Sequence, residues 1–465
     1  MAVPYWIQDA IFYQIFPDRF ANGDRHNDPV NVQPWGSPPT SWNFMGGDLR
    51  GIIQRFDYLL DLGVNAIYLN PIFHSTSNHR YNTLDYFRID PKLGDMSDFY
   101  ALLKVAHDNH VHVILDGAFN HCGRGFFAFV DVLENQENSP YRDWFYVKQF
   151  PVNAYGPGES QEYLGWWGFR SMPKFNVRNP DVRRYLLSVA RYWIEQGADG
   201  WRLDVPNEID DDSFWAEFRE TVKSVNRDAY LLGEIWTADP RWVGNEHFDG
   251  LMNYPLRDAI LEFIDTGFLN AREFAEKVEG LLNLYPRENA YAMYLPLGSH
   301  DTERLFTVFD GLLDKVKLAY TFLFSYPGAP GIYYGDECGL TGGKDPECRA
   351  AFPWDESAWN IELRAWVQSL IQERKRRVVL RRGNYKRVLV DERRGVYAFC
   401  RMLGFEKILV VLNASPVRRL VRVPVGDLGW NDGQILHNVL GRDEFTVTGD
   451  NLIVNIPAWG GLWIG

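Results

Sequence analysis

Cysteine is scarce in this chain and scattered: Cys122, Cys338, Cys348 and Cys400 are its four, and their spacing matches neither a zinc ligand set nor a disulfide framework. They read as reduced thiols. Long apolar runs are missing as well, since no stretch approaches the roughly 18 uninterrupted apolar residues of a membrane span. That excludes a membrane partner. The start, MAVPYWIQDAIFYQIF, lacks a basic segment followed by an apolar one and a small-residue cleavage site, so no secretory signal is read there and the expected location is cytoplasmic. Positive charge is in deficit, with 48 Lys and Arg against 61 Asp and Glu and a net charge of -13. Nucleic-acid binding draws on clustered Lys and Arg, so this balance argues against a nucleic-acid partner and suits a neutral substrate. Fixed-period repeats and low-complexity tracts are absent too.

What is present is a chain of 465 residues with 46% hydrophobic and 15% aromatic content, including 17 Trp. That length fits a large barrel of about 250 to 400 residues with a smaller appended domain. Short β-rich runs, AIFYQIFP (10 to 17), AIYLNPI (66 to 72), HVILDGAFNH (112 to 121), GWRLDVP (200 to 206), YLLGEIW (230 to 236), GLMNY (250 to 254), YAMYLPLGSH (291 to 300) and GIYYGDE (331 to 337), alternate with amphipathic stretches such as VRRYLLSVARYWIEQG and DSFWAEFRETVKSV. Eight strands each followed by a helix predict an α/β fold, the (β/α)8 TIM barrel. An open doubly wound sheet fits less well, because no Gly-rich dinucleotide fingerprint follows the first strand.

Two regions break the alternation. Residues 122–176, rich in Gly, Pro and aromatics, separate the third strand from the third helix, and a connection that long predicts an inserted functional subdomain. After about Arg377 the pattern becomes short β segments such as GVYAFCRML, KILVVLNAS, LVRVPV and NLIVNIPA, which predict a C-terminal antiparallel β-sandwich. The expected organisation is a barrel built from 1–121 and 177–377, an insert at 122–176 and a sandwich at 378–465.

Charged residues at the strand ends carry the chemistry. In GWRLDVPNE (200 to 208), alternation projects Arg202 and Asp204 to one face, and buried charges there demand partners. Asp204 ends the fourth predicted strand and Glu234 the fifth, about 4.8 Å apart in the sheet direction; Asp301 follows the seventh. Carboxyl groups about 5 to 5.5 Å apart suit retaining glycoside hydrolysis. Arg202 should hold Asp204 ionised as a nucleophile, and burial near that charge should raise Glu234 as a proton donor. The plainer alternative is a structural ion pair between Arg202 and Asp204.

DGAFNH (116 to 121), GWRLDVPNE, GEIW (233 to 236) and LGSHD (297 to 301), in this order, resemble the four characteristic regions of the α-amylase family, glycoside hydrolase family 13. The resemblance spans essentially the whole chain. It implies that Asp204 is the nucleophile, Glu234 the general acid/base and Asp301 a stabiliser of the transition state. It further implies that Arg202, His121 and His300 contact the sugar at the cleavage site and that Tyr81 stacks on it. Trp236 is a candidate platform for the leaving sugar, with core packing as the alternative. His79 is a weaker cleft candidate.

MPKFN (172 to 176) is similar to the MPKLN marker of the neopullulanase, cyclomaltodextrinase and maltogenic amylase group, with Phe175 in place of leucine, and VPNE resembles its VANE, with Pro206 as the departure. GGKDPECR (342 to 349) looks like that group's distal clamp, which implies that Asp345 and Arg349 bind the sugar two places toward the non-reducing end. A surface ion pair is the alternative for these two. The group's members usually carry an N-terminal β-domain that aids dimerisation, whereas the first barrel strand here is expected within about ten residues of Met1, so monomer and homodimer both stay open. NGDRHND (22 to 28) and GGD (46 to 48) supply Asn22, Asp24, Asn27, Asp28, the Gly46 carbonyl and Asp48, clustered oxygen donors of the kind Ca2+ takes. The resemblance places a structural calcium there; a polar turn is the alternative. The expected activity is retaining hydrolysis of α-1,4 bonds in starch and malto-oligosaccharides, with cyclodextrins and pullulan as further substrates. The rivals are a non-catalytic glucan-binding protein on the same fold and a transglycosylase.

Overall fold

The computed structural model describes residues 2–465. Eight short parallel strands form its centre: β1 Phe12–Ile15, β2 Ala66–Leu69, β3 His112–Gly117, β4 Gly200–Leu203, β5 Tyr230–Gly233, β6 Gly250–Leu251, β7 Tyr294–Leu295 and β8 Ala329–Tyr333. They neighbour one another in the order β6-β5-β4-β3-β2-β1-β8-β7, and a parallel bridge from Met252 to Tyr294 closes the ring. Strands buried on both faces read as continuous apolar runs. Phe12, Tyr68, Ile114, Leu232 and Tyr294 fill the barrel interior, while Tyr13, Leu69, Leu115, Trp201 and Leu231 face the surrounding helices. At Gly200, which opens β4, a Cβ would lie 2.2 Å from the Tyr230 carbonyl oxygen. Glycine there lets β4 and β5 approach, and those two strands carry Asp204 and Glu234.

The expected barrel is therefore present; seven of its strands lie inside a predicted run, and β8 begins two residues before its own, at Ala329. The helices differ in detail. LRGIIQRFDYLLDLG forms two helices, Leu49–Gln54 and Phe56–Leu62, that meet at Arg55. A helix the sequence reading did not identify, Ala271–Leu284, follows the Tyr254–Leu261 helix between β6 and β7, and opens with an Asn270/Glu273 capping box.

The long connection after β3 is an insertion with its own small helix, Phe127–Asn135, held otherwise by isolated bridges such as His121 with Lys174 and Phe145 with Phe175. Phe129, Phe145, Tyr163 and Phe175 pack its interior.

The C-terminal part is antiparallel. A four-stranded sheet comprises β9 Asn384–Asp391, β10 Val396–Leu403, β11 Glu406–Asn413 and β16 Gly460–Ile464. Two pairs complete it: β12 Arg419–Pro424 with β15 Asn451–Ile456, and β13 Ile435–His437 with β14 Glu444–Thr446. Alternation in β10 explains the layering. Val396, Ala398 and Cys400 pack toward Val421, Val423 and Val454, whereas Tyr397 and Phe399 join the barrel's core. Among the described residues no helix is long and apolar enough to cross a membrane.

Candidate active site

Asp204 and Glu234 are the residues immediately after β4 and β5, whose register pairs Leu203 with Gly233. Parallel pairing therefore sets the two carboxylates side by side at the C-terminal mouth, where barrel enzymes keep their chemistry. Arg202, fully buried inside the barrel, connects them. Its Nη1 donates to Asp204 Oδ1 at 2.9 Å and to Asp116 Oδ1 at 2.8 Å, and its Nη2 lies 2.7 Å from Glu234 Oε1. One guanidinium thus serves three carboxylates.

That sharing changes the electrostatics expected from the Arg202 and Asp204 spacing. Burial raises the Asp204 pKa well above its ordinary value; Arg202 opposes this, while Glu234, Asp116 and Asp301 add to it. Burial likewise lifts Glu234 to about 7, against the pull of Arg202 and of the Val205 amide, which donates to Glu234 Oε2 at 3.0 Å. The groups interact closely enough to titrate as a unit. Asp301, across the mouth, behaves oppositely: burial raises it, but His300, Arg349 and Arg202 outweigh burial and hold it low.

Tyr81, His300 and Asp116 form a connected floor. Tyr81 donates to Asp116 Oδ2 at 2.7 Å, and so does Tyr68 at 2.6 Å. His300 Nε2 lies 2.6 Å from the Tyr81 hydroxyl and 3.0 Å from Asp301 Oδ2. Gln14 Nε2 lies 2.9 Å from His300 Nδ1; an amide N–H can only donate, so the imidazole carries its proton on Nε2. Burial lowers His300, His79 and His121 to about 3, which keeps all three neutral. Tyr81 stacks between His300, 5.5 Å away, and His79, 5.9 Å away.

A cavity of about 700 Å³ covers this floor, and Tyr81, His121, Trp236, Asp345 and Arg349 line it with Asp204, Glu234 and Asp301. Trp236 lies flat on Tyr254, ring centroids 3.8 Å apart, and remains 47% exposed, so one face is packed and the rest available. Arg349 pairs with Asp345 at 3.2 Å and with Asp301 at 3.1 Å, and its Nε donates to the His300 carbonyl at 2.8 Å. It is a bridge between two carboxylates rather than an isolated surface pair.

Several participants escaped the sequence reading. Asp116 stands in DGAFNH, where only His121 was singled out; Tyr68, Asn70 and Gln14 complete its surroundings. Trp166, Trp167 and Phe169 form one wall of the cavity, with Trp166 stacked on His121 at 5.2 Å and on Trp167 at 4.8 Å. The signal was the aromatic run WWGF inside the insertion.

The candidate metal residues lie elsewhere, on the loop before the Leu49–Gln54 helix. Asn22 and Asn27 each keep a buried Oδ1 that accepts no hydrogen bond, and Gly46, at φ 79°, lies against Asp28 and Asn22. Asp48 caps the helix through the Gly51 amide and also accepts from the amides of Gly23 and Asp24. Asp24 accepts from the His26 amide. Among the described residues no three His, Cys, Asp or Glu side chains cluster as a metal site; the buried side-chain oxygens left without a donor in this loop are the amide oxygens of Asn22 and Asn27, hard donors of the kind calcium takes.

Residues 14–381 match the family described as alpha amylase, catalytic domain, and residues 386–463 match the maltogenic amylase C-terminal domain. The chain belongs to the α-amylase family. Within it, this is a glycoside hydrolase of the cyclomaltodextrinase and neopullulanase type. It is 44% identical to the cyclomaltodextrinase of Geobacillus thermopakistaniensis over 461 residues, 98% of this chain and 77% of that one. Identity to neopullulanase 2 of Thermoactinomyces vulgaris is 42%, over 96% of this chain and 77% of the relative. Among solved structures, the cyclic α-maltosyl-(1→6)-maltose hydrolase of Arthrobacter globiformis, in complex with cyclic α-maltosyl-(1→6)-maltose, superposes with a TM-score of 0.91 at 40% identity, over 100% of both chains.

Proposed function

We propose that this protein is a retaining hydrolase of α-1,4-glucosidic bonds in malto-oligosaccharides and starch, with cyclodextrins and pullulan as further substrates. The observation that supports it most is the attachment of Asp204 and Glu234 to one buried arginine at adjacent strand ends, beneath a sugar-sized cavity. For catalysis the one proton of the pair must sit on Glu234, leaving Asp204 ionised against Arg202; Glu234 gives it to the glycosidic oxygen as the bond to the anomeric carbon breaks. Asp204 attacks that carbon and forms a β-linked glucosyl-enzyme. Glu234, now ionised, takes a proton from water; the water attacks the same carbon, Asp204 departs, and the product keeps the α configuration.

Asp301 and Arg202 stabilise charge at the reacting sugar. Tyr81, His121 and His300 hold its ring and hydroxyls, Trp236 backs the leaving sugar, and Asp345 with Arg349 engages the unit two places toward the non-reducing end. Asn22, Asn27, Asp28 and the Gly46 carbonyl, with Asp24 and Asp48 beside them, would hold a structural calcium that cross-links their loop. The four cysteines, all free thiols, agree with a reducing, cytoplasmic location.

A second substrate reading has specific support. The Arthrobacter relative matches this chain end to end, and the substrate in its name is a small ring with α-1,6 as well as α-1,4 links. Initial rates of the purified chain on soluble starch, β-cyclodextrin and cyclic maltosyl-maltose, with calcium present, separate these readings. Preference for a ring supports the cyclic readings, preference for starch supports an open α-amylase cleft, and no turnover of any of them would overturn the hydrolase proposal.

A further inference from the structure

Outside the catalytic cavity, two adjoining cavities of about 730 Å³ and about 540 Å³ lie along the outer face of the loop after β1 and the segment after β8. They meet at Gln54, Arg55 and Trp354, which line both, and neither shares a residue with the catalytic cavity. Trp35 stands in the first and Trp359 in the second. Their rings are fixed from behind, since each indole N–H donates to a backbone carbonyl, Trp35 to Phe352 and Trp359 to Pro353. Arg55 lies over Trp354, 4.3 Å from the ring centroid, at the junction. Locked aromatic faces cost little ordering entropy when a ligand stacks on them.

Polar groups beside these rings retain free valences. Gln54 uses Nε2 on the Gly23 carbonyl and Gln33 uses Nε2 on the Asn31 carbonyl, which leaves their Oε1 atoms to accept. Asp28 aside, which the calcium reading takes, the charges balance, with Arg25, Arg55 and Arg364 against Asp57, Asp61 and Glu356. A phosphate or polyanion is poorly served by that balance, whereas a neutral ligand rich in hydroxyls matches planar amides, guanidinium groups and carboxylates set beside aromatic faces.

We infer that this groove, centred on Trp35, Arg55 and Gln54, is a second α-glucan-binding site that holds a malto-oligosaccharide segment without cleaving it. The identity of the ligand rests on the hydrolase reading above; the groove itself does not. Its function is to keep a long substrate on the enzyme, so it raises affinity for long chains and leaves short ones unaffected, a linkage through effective concentration.

The test is the stoichiometry of maltoheptaose binding by calorimetry to the full chain carrying Glu234→Gln, beside the same chain with Trp35→Ala or with the exposed pair Gln54→Ala and Arg55→Ala added. The expected result is two molecules per chain, falling to one in both groove variants. The groove variants on the otherwise unchanged enzyme should keep kcat/KM on maltotriose and raise KM for soluble starch several-fold. One molecule per chain before and after the groove substitutions overturns the inference while leaving the hydrolase reading intact. The converse result, no turnover by the unmodified chain but maltoheptaose binding lost with Gln54→Ala and Arg55→Ala, upholds the groove and overturns the hydrolase. Retention of both binding events in the groove variants also rejects it.

Discussion

The amide of Val205 donates to Glu234 Oε2 at 3.0 Å, and it does so from φ 35° and ψ 52°. Valine is β-branched and rarely enters the left-handed region, and Pro206 behind it disfavours helical conformations of either kind. Such backbone strain costs on the order of 1 to 3 kcal/mol and persists only where the surroundings enforce it. Here the residue lies directly between Asp204 and the turn Pro206–Glu208, so the chain is bent where its amide can reach the neighbouring carboxylate.

Val205→Gly should therefore raise Tm, since glycine adopts positive φ without a steric penalty. The freed amide holds Glu234 less firmly. That bond favours the carboxylate, so weakening it raises the Glu234 pKa and moves the basic limb of kcat/KM to higher pH, with kcat reduced. Melting curves and pH–rate profiles of the two proteins provide the check; a limb that stays in place would show that Val205 does not set the acid.

Glu234 also makes stability depend on pH in a defined direction. Its carboxyl is raised from 4.5 to about 7 in the folded protein, so between those values the native state holds a proton that the unfolded chain has released. Stability from this group is complete below about 4.5 and lost as pH rises through about 7, a change of about 3 kcal/mol at 1.36 kcal/mol per unit. Glu234→Gln removes this group's share of the dependence. The variant should gain several degrees in Tm relative to the parent at pH 8 and little at pH 4.5, while hydrolysis of natural glucans falls by about 10²-fold to 10⁴-fold. Substrates whose leaving group needs no proton, such as glucosyl fluorides, should lose far less. A variant equally slow on both kinds of substrate would argue against Glu234 as the acid.

Asp345 and Arg349 should separate kinetically despite their contact. Asp345 touches the site only through Arg349 and the cavity, so Asp345→Ala should raise KM for maltotriose by about 5-fold to 30-fold, the loss of one charged hydrogen bond, with kcat near that of the parent. Arg349 also holds Asp301 and the His300 carbonyl. Arg349→Ala should accordingly lower kcat as well. Steady-state kinetics on maltotriose distinguish the two patterns, and equal effects of both substitutions would reduce the pair to a single binding element.

These expectations show what a sequence can reveal about such a site. Asp204, Glu234 and Asp301 were legible because each follows a strand, and parallel strands in a barrel deliver successive ends to one mouth. Asp116 was not, although DGAFNH was in view: its task follows from Arg202 reaching across from β4 to β3, which no spacing within either strand reveals. The same holds for the charge state of Asp204. An arginine two residues away suggested a private partner, but the guanidinium also faces Asp116 and Glu234, and burial exceeds its diluted pull. Trp166 and Trp167 lie in an irregular segment placed by isolated bridges, where neither a period of two nor of 3.6 exists to orient a side chain. The Ala271–Leu284 helix was missed for a different reason. It follows another helix instead of a strand, so a strict strand-helix alternation had no place for it.

The loop of Asn22 and Asn27 offers the last test, and its readout is stability. Two buried amide oxygens without hydrogen-bond donors are costly in a folded protein, by about 1 to 3 kcal/mol each, and a cation is the partner that relieves both at once. Asp48, fixed by the amides of Gly23, Asp24 and Gly51, ties that loop to the start of the Leu49–Gln54 helix, so a bound ion would brace one edge of the barrel. Ligand held at 100 times its dissociation constant adds about 2.7 kcal/mol to the folded state. Chelation should thus lower Tm by a few degrees, and calcium should restore it. Magnesium should not, because its smaller octahedral shell fits a loop of carbonyl and amide oxygens poorly. Asn27→Ala should have a lower Tm than the parent in calcium and show no further response to the chelator. A Tm that ignores chelation in the unmodified chain would assign these oxygens to a polar turn instead.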